Sequence, residues 1–470
     1  MEPHGDLFAS TALLPEGWVD NLRIECRDGR IARLERGANA RAGDERVGAV
    51  LPGMPNLHSH AFQRGMAGLT EYRSSGKGGL AADNFWSWRS LMYRFVGRMT
   101  PEDFEAVTTW AFVEMLEAGF TRVGEFHYVH HDTAGKPYAD PAELTARVIA
   151  AAENTGIALT WLPVFYAQGG FGGAPANEGQ KRFLHDVPAY ARLLESGRKL
   201  VARLQDAVVG IAPHSLRAVT PEQLKQLLPL AGQGPIHMHA AEQVGEVEQC
   251  LAWSGARPVQ WLLDHAPVDE RWCLVHSTHL DDAEITRFSH SGAVAGLCPI
   301  TEANLGDGIF PATKFLAAGG RFGIGTDSNV SIDVRDELRQ LEYSQRLRDR
   351  ARNVVARGRA RDEAEGTLTS TGRALFAGAL AGGSQALGVA RECAGIIEGA
   401  PADFFSLNER VPLFAERKGD ALLDSLVFAG VRDAIDGVWR AGRKVVVAGR
   451  HALRDPAERA WRTTLARLLQ

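Results

Sequence analysis

Apolar and polar positions fall into three regimes along the chain. Residues 1–50 hold short β-like runs, such as Asn21-Leu-Arg-Ile-Glu-Cys and Arg30-Ile-Ala-Arg-Leu, separated by Asp-Gly and Gly turn signals. Such runs predict strands of a small sheet. From about residue 49, apolar runs alternate with stretches of helical periodicity, the βα signature of a parallel sheet. After about residue 395, Ala394-Gly-Ile-Ile-Glu-Gly-Ala-Pro and Val438-Trp-Arg-Ala-Gly-Arg-Lys-Val-Val-Val return to strand and turn composition. Those late strands find their simplest use in pairing with the N-terminal ones.

Eight candidate strands lie at 49–54, 120–127, 157–165, 207–213, 234–240, 272–276, 293–298 and 321–327. Between them, Thr100-Pro-Glu-Asp, Asp140-Pro-Ala-Glu and Thr220-Pro-Glu-Gln each set a capping residue before proline at the first helical position, with an acid in the first turn. The predicted fold is an α/β (β/α)8 TIM barrel over 51–393, with a small β-sandwich built from 1–50 and 394–470. Two long insertions, 63–99 and the Gly-rich stretch from Gln168, fall where barrel loops build a pocket. The charged segment 335–365 is expected to be a solvated helical face.

Composition narrows the function. A chain of 470 residues, 45% hydrophobic and 23% charged, has the balance of an ordinary globular protein, and no apolar run approaches the ~18 residues of a membrane span. A net charge of -5 offers no general attraction to nucleic acid, so an anionic ligand needs local arginines. The N-terminus carries no signal-peptide pattern, which makes the cytoplasm the expected compartment. Five scattered cysteines without a CxxC predict free, mostly buried thiols rather than disulfides or a cysteine-ligated metal.

Placed on the strand map, the polar residues converge. His58 and His60 end the first strand at i,i+2 spacing, so both imidazoles share a face. His239 and Glu242 end the fifth strand, His276 and His279 follow the sixth, and Asp327 ends the eighth. Barrel active sites lie at these C-terminal strand ends. Zinc favours imidazole and carboxylate donors, and a catalytic site keeps a position open to water; His58, His60, His239 and Asp327 supply that donor chemistry. His237 lies deeper and reads as a core or supporting histidine, and His279 as a helix-start or surface residue. Glu242 is placed to carry protons and His276 to hydrogen-bond the nucleophile or the tetrahedral centre. Val208-Val-Gly-Ile-Ala-Pro-His-Ser offers no bridging lysine or carboxylate, which predicts one metal ion.

The motifs PGMPNLHSHAFQRG, HMHAAEQ, LVHSTHL and GTDSN resemble the amidohydrolase superfamily in its mononuclear aminohydrolase branch. Within it, His58-Ser-His-Ala-Phe-Gln-Arg-Gly, Asn84-Phe-Trp-Ser-Trp-Arg89 and Thr301-Glu-Ala-Asn-Leu-Gly-Asp-Gly resemble the deiminases of formiminoglutamate. The resemblance implies one divalent ion, zinc first, on His58, His60, His239 and Asp327, with Glu242, His276 and Asp327 handling protons. It also implies that Gln63, Arg89, Tyr128, His214 and Arg217 contact a small dicarboxylate substrate. Guanidinium forks suit carboxylates, although Arg89 also has a plain use in packing against Trp86 and Trp88. A homodimer is expected by frequency among soluble oligomers. A nucleobase deaminase with a stacking pocket and a non-catalytic binding barrel are the alternatives. The second would be expected to have lost ligands, and none of the four is missing.

Overall fold

The computed structural model describes residues 6–72, 85–357, 369–431 and 433–470. Eight parallel barrel strands run in order: Met54–Ser59, Phe120–His127, Ala158–Phe165, Val208–Val209 continued by Ala212–Pro213, Ile236–Ala240, Trp272–His276, Val294–Leu297 and Arg321–Ile324. Strand 4 meets strand 5 at the bridge Ile211 to Ile236, and strand 8 meets strand 1 at the bridge Ser59 to Asp327. Single bridges therefore join both seams. Strands 2 and 3 are buried at every residue, as parallel strands covered by helices must be.

The first strand lies further along than the apolar pattern places it. Residues 45–52 belong to the other sheet, and the barrel begins at Met54. Gly53 makes the crossing: its N–H donates to the Asp403 carbonyl at 3.0 Å, and a Cβ there would lie 2.2 Å from Thr121 Oγ1. Two short apolar runs separated by this residue read as one strand in sequence.

The remaining strands form one eight-stranded sheet from both chain ends, in the order 450–451, 443–447, 435–440, 404–407, 45–52, 7–14, 17–27, 30–35. It curls until its hairpin at 27–30 hydrogen-bonds residues 399–402, with Ile31 N–H on Ala400 O at 2.9 Å and Ala402 N–H on Gly29 O at 3.0 Å. Leu22, Ile24, Ile31, Phe404 and Trp439 share its core. The C-terminal helix Arg454–Leu468 then returns to the barrel, stacking Trp461 on Trp110 of the helix Pro101–Glu117.

Thr100 and Thr220 both form the expected capping boxes. Asp140 does not start its helix: its carboxylate accepts the Ala142 N–H at 2.8 Å and closes a turn, and the helix begins at Glu143. The solvated-face reading of 335–365 is corrected over the helix Val334–Asp349, where Arg335, Glu337 and Glu342 are buried. Glu342 accepts the N–H groups of Val354 and Val355, both at 3.0 Å, and Glu337 accepts that of Ile300 at 3.0 Å. These acids satisfy the starts of other helices. Residues 358–365 lie outside the described part.

At the barrel's N-terminal end, charge is paired off. Arg122 donates to Asp206 O at 2.9 Å, and Arg440 lies 3.1 Å from Asp403 and 3.6 Å from Asp206. This network joins the barrel base to the curled sheet.

Candidate metal centre and pocket

At the opposite end the strands deliver His58, His60, His239 and Asp327 to one point. One donor atom from each lies within 4.8 Å of all the others, and all four residues are buried. His58 Nε2 is 3.2 Å from both His60 Nε2 and His239 Nε2, and Asp327 Oδ1 is 3.2 Å from His60 and 3.5 Å from His58. The seam itself builds this cluster: Asp327 N–H donates to His58 O, and His60 N–H to Asp327 O, both at 2.9 Å.

The arrangement fits a divalent cation. His60 Nδ1 donates to Phe126 O at 2.9 Å and His239 Nδ1 to His214 O at 3.1 Å. A carbonyl only accepts, so both rings carry their proton on Nδ1 and turn the Nε2 lone pair into the cluster. His58 Nε2 can donate to only one of them, which leaves lone pairs facing one another where a shared cation would satisfy all. Burial lowers the His58 imidazole to about 3 and pushes His60 and His239 the same way, so all three are neutral ligands. Burial works against the Asp327 anion, but the His58 hydrogen bond and the nearby His276 imidazolium hold it below the usual carboxylate range.

Backbone strain marks the same ring. Ala241, His276, Ser277 and Asp327 have φ of 51°, 66°, 49° and 44°. Non-glycine residues in this region cost of order 1–3 kcal/mol each and persist where the surroundings dictate them.

His276 stands beside the cluster, with Nε2 3.8 Å from both Glu242 Oε1 and Asp327 Oδ2, and Nδ1 3.3 Å from Glu302 Oε1. Burial opposes its charge, yet Glu242, Glu302 and Asp327 together raise it to about 10, an imidazolium. Burial raises the Glu242 carboxyl against the pull of His276 and Arg217. One site thus holds a charged histidine and a carboxyl poised to exchange a proton.

Gln63, Arg89, Tyr128, His214 and Arg217 all line one cavity with His60, His239, Glu242, His276 and Asp327. Its empty space is about 540 Å3, open mouth included. Gln63 donates through Nε2 to Tyr128 Oη at 2.7 Å. Arg89 lies over the Tyr93 ring at 5.6 Å, and the Trp86 side chain and Asn84 fall outside the described residues. His237 donates to Ala386 O at 2.7 Å and stays out of the cluster. His279 is half-buried rather than on the surface, bonded to Asp307 O at 2.9 Å, because the loop after strand 7 folds over it.

Several supporting residues escape the sequence reading. Asn56 donates to Thr326 Oγ1 at 2.7 Å and Asn329 to Ser59 Oγ at 3.2 Å, which pins the seam. Glu246 accepts the N–H groups of Ala241 at 3.2 Å and Glu242 at 3.1 Å, and lies 4.0 Å from Arg217, which is also 3.7 Å from Glu242. An acid four residues after Glu242, in a first helical turn, was the available signal. Glu302 sits inside a motif already noted, yet only the fold brings it to His276.

The sequence profile of the amidohydrolase family matches residues 49–445, and that of the formimidoylglutamate deiminase HutF N-terminal domain matches residues 6–48. A formimidoylglutamate deiminase of Pseudomonas aeruginosa is 52% identical over 98% of this chain and 99% of its own. A crystal structure of an amidohydrolase from Brucella melitensis superposes with a TM-score of 0.93 at 55% identity, covering 99% of this chain and 100% of that one. An adenosine deaminase from Xanthomonas campestris, with bound zinc, gives 0.76 at 22% identity over 98% of each chain, a likeness of fold alone. With the family profile spanning the barrel and much of the sheet, and a relative matching from end to end, the chain belongs to the amidohydrolase family and, within it, to the formimidoylglutamate deiminase group.

Proposed function

We propose that the protein hydrolyses N-formimidoyl-L-glutamate to N-formyl-L-glutamate and ammonia, the deimination step of histidine degradation. The observation that carries this reading is the end-to-end relative, a formimidoylglutamate deiminase at 52% identity. The cavity supports it, since Arg89 and Arg217 line the same pocket as the ligand cluster in a chain of net charge -5. A dicarboxylate needs such local cations. Zinc is the ion we assign, because three imidazoles and a carboxylate form the donor set it prefers. A homodimer and a cytoplasmic setting complete the reading.

His58, His60, His239 and Asp327 would hold the ion. When bound there it supplies a Lewis acid that lowers the pKa of water from 15.7 to about 7, worth about 12 kcal/mol at 1.36 kcal/mol per unit. Glu242 takes one proton from the attacking water and delivers it to the terminal formimino nitrogen as the water oxygen bonds the carbon; it then carries the remaining hydroxyl proton to that nitrogen, so that the terminal C–N bond breaks, ammonia leaves and the formyl C=O forms. His276, charged between three carboxylates, donates through Nε2 toward the attack site and steadies the developing tetrahedral centre. Gln63 keeps its Oε1 buried and without a hydrogen-bond partner, an acceptor for a formimino N–H. Tyr128, Arg89 and Arg217 grip the carboxylates, while His214, pushed well toward neutrality by burial, packs at 4.8 Å against the His239 ring.

Ammonia release by metal-loaded protein, compared across formiminoglutamate, formiminoaspartate, guanine and cytosine, tests this. Formiminoglutamate should turn over with the highest kcat/KM. Turnover of a base without the formimino acids would move the function to nucleobase deamination.

A further inference from the structure

Strands 6, 7 and 8 bring a nitrogen, a sulfur and an oxygen together beside the described centre. One donor atom each from His276, Cys298 and Asp327 lies within 4.8 Å of the other two, and all three residues are buried. Asp327 faces two ways, with Oδ1 toward His58 and His60 and Oδ2 3.8 Å from His276 Nε2. A tetrahedral ion with ligands at 2.0–2.3 Å holds them about 3.3–3.8 Å apart, so the His276 to Asp327 spacing already suits one. Cys298 is fully buried in an apolar cluster that also holds Leu57, Cys273 and Val275.

We propose that His276, Cys298 and Asp327 form a second, inhibitory site for a thiophilic divalent ion such as Cd2+ or excess Zn2+, sharing Asp327 with the centre on His58, His60 and His239. The proposal rests on the metal-centre reading above. Sulfur decides which ions enter: thiolate selects soft and borderline ions, whereas Mg2+, Ca2+ and Mn2+ prefer oxygen shells. The primary centre has no sulfur ligand, so a thiolate bond reports the second site among the ions bound at this end. Binding is a ligand exchange without electron transfer: as the metal–sulfur and metal–nitrogen bonds form, the Cys298 S–H proton and the His276 Nε2 proton leave to solvent. The ion enters through the substrate cavity, which His276 and Asp327 line. Once bound, it withdraws His276 from the reacting centre and removes the imidazole N–H that faces Glu242 at 3.8 Å.

Cadmium added to the holoenzyme tests this by binding and by activity separately. Titration past the primary equivalent should raise an ultraviolet thiolate-to-cadmium charge-transfer band in step with loss of turnover. Cys298→Ser and Cys298→Ala should abolish the band and raise the inhibitory concentration by roughly tenfold or more, the scale that even outer supports of a metal ligand reach. A band that persists in these variants belongs to another cysteine, and unchanged inhibition in them places the ion elsewhere; either result overturns the proposal. Should neither variant fold, cadmium NMR of the wild-type protein decides: a second resonance with a sulfur ligand supports the site, and resonances of nitrogen and oxygen ligands alone overturn it. Band and resonance are read without substrate, so a failure here is distinct from a failure of the deiminase assignment, which the ammonia assay reads.

Discussion

The two ends of the barrel bury charge in opposite ways. At the base, Arg440 pairs with Asp403 and Asp206 while Arg122 donates to the Asp206 carbonyl, and these contacts join barrel to sheet. At the top, three neutral imidazoles and a carboxylate crowd together with lone pairs facing inward, and His276, Glu242, Arg217 and Glu246 surround them in looser pairs at 3.7, 3.8 and 4.0 Å. Buried charge at the base holds the molecule together. At the top it surrounds an open pocket, in keeping with the proposed ion and dicarboxylate, and the strained backbone there is part of that arrangement. Perturbed titration marks both places, so partner geometry rather than burial tells them apart.

His58→Ala should break the comparison most severely, because it removes a donor that touches two others. Elemental analysis of active wild-type protein should give one equivalent of metal, the variant should lose it, and turnover should fall to background; two equivalents both needed for turnover would defeat a single-ion centre. Glu242→Gln should retain the ion and lose 10²–10⁴-fold in kcat, about the range of general acid–base catalysis, since the amide copies the shape but relays no proton. Near-normal kcat with metal in place would show that another group moves the proton.

Arg440→Met tests the base. Breaking a buried pair should cost about 3 kcal/mol or more in a denaturant midpoint analysis, with kcat of the folded protein unchanged. A loss of kcat at full stability would mean that the base communicates with the site. The smallest effect is the sharpest discriminator. Arg89→Met should lower kcat/KM for formiminoglutamate by roughly 30-fold and leave a neutral formamidine nearly untouched. Arg217→Met should slow both, because Arg217 stands 3.7 Å from Glu242 as well as in the pocket. Equal behaviour of the two variants would remove that distinction.

What the chain reveals before folding follows from the range of the forces involved. The i,i+2 spacing of His58 and His60 and the position of His239 and Asp327 at strand ends are local, and the four-residue cluster could be read from them. Strand 1 was displaced because Gly53 divides two apolar runs that periodicity cannot separate. The acids of Val334–Asp349 look solvated in sequence since their partners are backbone N–H groups of Ile300, Val354 and Val355, which carry no charge pattern. Asn56, Asn329 and Glu302 were silent for the same reason: each acts through a hydrogen bond to a segment whose proximity only the closed ring creates, whereas Glu246 acts locally, on the N–H groups of Ala241 and Glu242.

The joint between strands 8 and 1 has a meaning for assembly as well as for chemistry. Asn56 and Thr326 stand 270 positions apart along the chain. Closing so long a loop carries a large entropic cost, and the single bridge at Ser59 and Asp327 gives little ladder to offset it. A cation held by His58 and His60 on one side and Asp327 on the other would therefore also be a clasp, fastening the last stave of the barrel to the first.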